Sequence, residues 1–206
     1  MKIFLVKHGQ SKDNLLKKIS GHSATPLTDL GREQAKSLGL KFLEKGIKFD
    51  AVYSSDLIRA SETATIICNE IGFKEIIFDK RLRETDIGVF TGRYRSDITK
   101  EEGEFLDSVL VDLDKRVPGG ETNNEMNERI KEAFFEIINN HPNSSTILIV
   151  GHGGTLYHIL IRILNLLQPK LDEWFGSCMV NILERESQND SWKVTMFNNK
   201  KNLNHN

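Results

Sequence analysis

Cysteine is scarce. Cys68 and Cys178 are the only two in 206 residues, with neither a Cys-x-x-Cys pair nor Cys/His ligand spacing around them. Reduced thiols in a cytoplasm fit that usage better than a disulfide framework or a structural zinc. A basic excess is missing too: 28 Lys and Arg stand against 29 Asp and Glu, net −1, which argues against a nucleic-acid partner. No apolar stretch reaches membrane-spanning length. "IFLV" (Ile3 to Val6) is too short for a signal-peptide core and leads straight into Lys7, and "LYHILIRILNLL" (Leu156 to Leu167) carries Arg162. No internal repeat, low-complexity linker, Gly-x-x-x-x-Gly-Lys-Ser/Thr loop or Gly-x-Gly-x-x-Gly turn occurs. The expectation is a cytoplasmic protein that engages neither membrane nor nucleic acid.

What is present is an alternation. Short β-branched runs (Ile3 to Val6, Ala51 to Tyr53, Ile76 to Phe78, Thr146 to Val150) alternate with helix-period runs. Thr28 reads as the N-cap of a helix with Ala35, Leu38 and Phe42 on one face and Gly46 at its end. Asp56 reads as the cap of a second helix, with Leu57, Ala60, Ala64, Ile67 and Ile71 inward and Gly72 closing it. Met126, Ile130, Ala133, Phe134 and Ile137 mark a third, and a fourth is expected from about Thr155. Val180 to Leu183 and Val194 to Phe197 are late strand candidates. The pattern predicts an α/β fold, three layers with a mostly parallel central sheet. One domain is expected over 1–198, with an insertion at about 85–125 acting as a lid, then a polar tail at 199–206.

In such sheets ligands bind beyond the carboxyl ends of the strands. Lys7-His8-Gly9 follows the first strand, and Gly151-His152-Gly153-Gly154 follows "TILIV". Arg59 falls in the first turn of the second helix, and Glu84 follows the third strand among basic neighbours. Taken singly, each has a plainer reading: a hydrogen-bonded loop histidine, a solvated arginine, a surface carboxylate, and in Asn14 a turn cap. Their joint placement on one edge points to a site. Metal binding is the rival for paired histidines, but His152 and His158 are six apart, and His22 and His141 have no partner at ligand spacing. Two imidazoles with two cations suit covalent phosphoryl transfer, with a carboxyl group to protonate the leaving alkoxide.

At these residues the chain resembles the histidine phosphatase superfamily, also called phosphoglycerate-mutase-like. The motifs are Lys7-His8-Gly9-Gln10-Ser11 with Asn14, Gly21 followed by "PLTDLG" and Gln34-Ala35, "SSDLIRASETA", "LRETDIGVFTG" and the late "GHGG", in order from Ile3 to about Ile163. The resemblance implies His8 as nucleophile and Glu84 as acid/base. It implies Asn14, Arg59, His152 and the Gly153 amide as phosphate ligands beside Lys7, and Ser20 and Gly21 on a substrate loop. It also implies a mixed, largely parallel sheet between helices, no metal and no cofactor. Lys7 departs from the family's usual arginine: charge survives, the bidentate fork does not.

The expected activity is that of a histidine acid-type phosphatase, a metal-independent phosphoric monoester hydrolase acting on a small phosphorylated metabolite. A cofactor-dependent phosphoglycerate mutase and a non-catalytic phospho-ligand binder are the alternatives. "PGGET" (Pro118 to Thr122) resembles the phosphatase branch. Phe90 to Val117 holds five Lys/Arg against seven Asp/Glu, a net −2 that looks unsuited to gripping a bisphosphate. Phe105, Leu106, Val109, Leu110 and Leu113 read as helix packing, with some free to face an organic leaving group. Oligomeric state is left open.

Overall fold

The computed structural model describes residues 1–166 and 175–201. Its elements run β1 (Lys2–Lys7), α1 (Lys12–Leu15), α2 (Asp29–Glu44), β2 (Ala51–Ser54), α3 (Ile58–Ile71) and β3 (Ile76–Phe78). They continue through α4 (Lys100–Val111), α5 (Asn123–Asn139), β4 (Thr146–Gly151), α6 (Gly153–Tyr157), β5 (Val180–Glu184), β6 (Lys193–Phe197) and β7 (Lys200–Lys201). Seven strands form one sheet in the order β3-β2-β4-β1-β5-β6-β7. The pairs β3-β2, β2-β4 and β4-β1 are parallel, whereas β1-β5, β5-β6 and β6-β7 are antiparallel. The sheet is therefore mixed, and its parallel part carries β1, β2 and β4 with the junctions that follow them.

Period-two alternation sorts the central strands into two cores. Ile3, Leu5, Ile147 and Ile149 pack with Met126, Ile130 and Phe134 of α5 on one face. Phe4, Val6, Leu148 and Val150 pack with Ala35 and Phe42 of α2 and Ala64 and Ile67 of α3 on the other. Both faces are covered, so β1 and β4 are apolar throughout. Each fully buried Ile or Leu contributes about 1.5–3 kcal/mol through removal from water.

Thr28 caps α2 as expected, accepting from the Gly31 amide, and Gly46 and Gly72 take positive φ beyond α2 and α3. Asp56 does not cap α3. Leu57 holds that position without a side-chain bond, because both Asp56 oxygens are taken by the Arg83 guanidinium at 2.6 Å. The fourth helix starts at Gly153, two residues early, and passes into a π-helix over His158–Ile163. Leu167, the expected end of that apolar run, lies outside the described residues, as do residues 202–206 of the polar tail. Lys200–Lys201 of that tail pairs with β6.

Candidate active site

Strand register brings the two histidines together. Lys7, last in β1, lies opposite Gly151, last in β4, and the His8 amide donates to the Gly151 carbonyl at 3.0 Å. The next residue of each strand is a histidine. Their rings meet edge to face with centroids 5.2 Å apart. Both are buried, His8 at 3% exposure and His152 at 0%.

Hydrogen bonding fixes the His8 tautomer. The Gly9 carbonyl lies 2.6 Å from His8 Nδ1 and can only accept, so Nδ1 carries the proton and Nε2 the lone pair. Arg59 Nε donates to that Nε2 at 3.2 Å. The Ser55 hydroxyl oxygen accepts from the Leu57 amide at 3.3 Å and lies 2.8 Å from His152 Nε2, which anchors that edge of the ring. His152 Nδ1 is buried without a partner. Burial first, then Arg59, pushes both imidazoles well below their ordinary 6.5. For His8, Lys7 adds to the push. Burial thus favours the neutral form of both rings, and His8 presents its Nε2 lone pair.

Arg59 is fully buried at the start of α3, where Nη1 and Nη2 donate to the carbonyls of Ser23 and Gly21. Gly21 holds φ 46°, and a side chain there would collide with Ile87. Lys7 donates from Nζ to the Phe175 carbonyl at 3.0 Å. Burial lowers its pKa, with Glu84 pulling the other way.

Glu84 closes the site from the opposite wall. Its Oε1 accepts from the Thr85 amide at 2.9 Å and its Oε2 from the Gly154 amide at 3.3 Å. Arg129 of α5 donates to the carbonyls of Arg81, Arg83 and Glu84 at 2.8, 2.8 and 2.9 Å, held there by Glu121. His22 Nε2 donates to the Glu84 carbonyl at 2.7 Å. Asn14, whose side chain accepts from the Ser11 amide, lines the same cavity with Ser20, Gly21 and Gly153.

The cavity measures about 570 Å³. Of the nine residues expected from sequence, Lys7, His8, Asn14, Ser20, Gly21, Arg59, Glu84 and Gly153 line it, while His152 sits behind His8. Sequence reasoning missed Ser55, His22 and Arg129. Ser55 lies inside "SSDLIRASETA", but the other two act on backbone carbonyls and leave no motif. Among the described residues no three His, Cys, Asp or Glu side chains converge as a metal-ligand set.

The model of the histidine phosphatase superfamily (branch 1) matches residues 3–200. The Escherichia coli protein named probable phosphoglycerate mutase GpmB is 36% identical over 167 residues, 81% of this chain and 76% of that one. The mycobacterial glucosyl-3-phosphoglycerate phosphatase in complex with VO3 has a TM-score of 0.80 at 24% identity, covering 96% of this chain and 98% of its own. The alpha-ribazole phosphatase of Shigella flexneri reaches 0.81 at 24% with complete coverage of both chains, and Bacillus stearothermophilus YhfR reaches 0.81 at 26% with 98% of each. At such identities the two phosphatases establish the shared fold alone.

Proposed function

The chain belongs to the histidine phosphatase superfamily, and from that premise we propose that it is a metal-independent phosphomonoester hydrolase working through a phosphohistidine on His8. The observation that carries this is the His8 Nε2 lone pair, freed by the Nδ1–H···Gly9 bond and met by Arg59. Nε2 attacks phosphorus as the ester oxygen leaves, and Glu84 gives that oxygen its proton. The Gly9 carbonyl then supports the positive charge that the ring acquires.

Lys7, Arg59, His152, Asn14 and the Gly153 amide hold the transferred oxygens, and Ser20 and Gly21 bound the leaving group. In the second step Glu84 takes a proton from water as water attacks phosphorus. The N–P bond breaks, inorganic phosphate leaves, and neutral His8 and protonated Glu84 are restored. Rapid quench with labelled phosphomonoester is expected to trap acid-labile, base-stable phosphate on the protein and to lose it in His8→Ala. Label that persists in His8→Ala refutes the assignment.

The 36% identical relative favours a second reading, a cofactor-dependent phosphoglycerate mutase. Isomerisation of a phosphoglycerate that depends on added bisphosphoglycerate and outpaces phosphate release would establish it. A binder without catalysis has Lys7 as its one support and needs neither nucleophile nor acid.

A further inference from the structure

The cavity is far larger than a phosphate requires, at about 570 Å³, within the range of about 300–1,000 Å³ typical of sites for sizeable organic ligands. Its buried floor is the phosphate machinery around His8 and Arg59. Its outer wall is apolar, built by Ile19, Ile87, Leu110, Leu113 and Tyr157. On α4, Val109 is buried in a small core with Phe90 and Val117, with Phe105 and Leu106 packed against it, while Leu110 stays 68% exposed. Leu110 and Leu113 thus serve the cavity rather than that core.

The charge at the mouth reverses the sequence-based expectation for this segment. Its acidic residues turn away: Asp97, Glu101, Glu104, Asp107, Asp112 and Asp114 are exposed and outside the lining, and Glu102 is paired with Arg93. Arg95 is the charge it presents to the cavity. Lys18 and Arg162 join it, and Glu84 is the one carboxylate lining the cavity among the described residues. Arg93, Arg116 and Arg129 are all neutralised by glutamates, whereas Lys18, Arg95 and Arg162 have no carboxylate partner among the described residues.

Their placement is built into the backbone. Lys18 bridges Tyr94, stacks on its ring at 4.6 Å, and brings Arg95 alongside, where the Arg95 amide donates to the Lys17 carbonyl at 3.0 Å. Arg162 comes from the π-helix that follows α6. The π-helix widens the turn there, with the Leu164 amide reaching back five residues to Ile159, and Tyr157, His158 and Arg162 all reach the cavity. Such π turns are rare and concentrate at functional sites.

We infer that the cavity selects a phosphomonoester with an apolar, aryl- or alkyl-sized body and a second anionic group, the body lying on Leu110, Leu113 and Ile87 and the anion held by Lys18, Arg95 and Arg162. The turnover of such a substrate rests on the hydrolase reading above; its binding does not. The probe is para-carboxymethylbenzylphosphonate, a non-hydrolysable ligand, measured by calorimetry beside its neutral carboxamide. At low salt the carboxylate binds about tenfold more tightly than the amide, since exposed Arg95 and Arg162 and half-buried Lys18 each contribute a fraction of a kcal/mol, and added salt narrows the gap.

In Arg95→Gln/Arg162→Gln that ratio falls to about twofold, and Leu110→Asn weakens both aryl ligands relative to inorganic phosphate. All three side chains are exposed, and thermal melts verify folding. Equal binding of carboxylate and amide by the wild type, or a preference undiminished from wild type in the double variant, overturns the inference. Hydrolysis of para-carboxymethylphenyl phosphate by the same preparations is scored separately. Anion preference without turnover sinks the hydrolase reading alone, and turnover without preference sinks this inference alone.

Discussion

Lys7 is the residue at which the chain departs from the family pattern, and its surroundings say what the departure does. Its Nζ is anchored on the Phe175 carbonyl, its own carbonyl accepts from the Cys178 amide, and its side chain lines the cavity beside His8. A lysine so held supplies one charge and two further N–H groups that diverge from a single nitrogen, whereas a guanidinium could keep the Phe175 bond and still offer two parallel N–H groups to phosphate. Lys7→Ala is expected to lower kcat/KM by about a hundredfold, the worth of a charge-assisted bond of roughly 1.5–3 kcal/mol. Lys7→Arg is expected to raise it by up to about tenfold. Steady-state kinetics of the three proteins on one substrate checks both. An Ala variant as active as wild type would remove Lys7 from the phosphate site, and a slower Arg variant would mean that the pocket is shaped to lysine.

At the scale of elements, Arg129 is the bolt that aligns α5 with the loop carrying Glu84, the proposed acid. One guanidinium satisfies three successive-loop carbonyls, those of Arg81, Arg83 and Glu84, and Glu121 holds it while also accepting from the Asp86 amide. Arg129→Lys keeps the charge but loses the fork, so the Glu84 carboxyl drifts from the leaving group. Small misplacements of this kind cost up to about a hundredfold in rate. The expected loss is in kcat and is larger for an alkyl phosphate than for an activated aryl phosphate, whose departure needs little protonation; equal losses on both would mean that Arg129 only stabilises the fold. Sequence could not disclose this element, because contacts to carbonyls carry no side-chain signature. The parallel strands and their two His-Gly ends were legible, since a strand buried on both faces must be apolar throughout and must end where the ligand begins. The α3 cap was misread because Arg83, 27 residues away in sequence, takes the Asp56 carboxylate. The acidic balance of Phe90 to Val117 likewise does not describe the face that lines the cavity, as composition does not reveal which side chains face inward.

For the whole molecule, the cost of housing the site is acid lability. His8, His152 and His158 are buried and held neutral, with His158 lowered to about 4 by burial and then Arg162. The unfolded chain binds a proton at each near the ordinary value of 6.5, while the folded chain does not until far lower pH. The histidines' contribution to folding stability is therefore flat above that value and falls below it, by about 1.4 kcal/mol per pH unit for each histidine. Asp56, whose pKa Arg83 holds below its ordinary 3.8, adds its own loss only under that value, and Glu101, Glu102 and Glu125, also lowered, only under their ordinary 4.5, so from 6.5 down to 4.5 the buried histidines lead the loss. Three together remove about 4 kcal/mol per pH unit, against a total stability of about 5–15 kcal/mol for a typical domain. Urea unfolding at about pH 7.5, 6 and 5 should show a falling midpoint with unchanged slope. The acid limb of kcat/KM should track that unfolding rather than a titration near neutrality, because His8 keeps its lone pair for as long as the fold persists. Unfolding free energies that stay level from about pH 7.5 to 5 would mean that these imidazoles accept protons in the native state, and the neutral nucleophile would go with them.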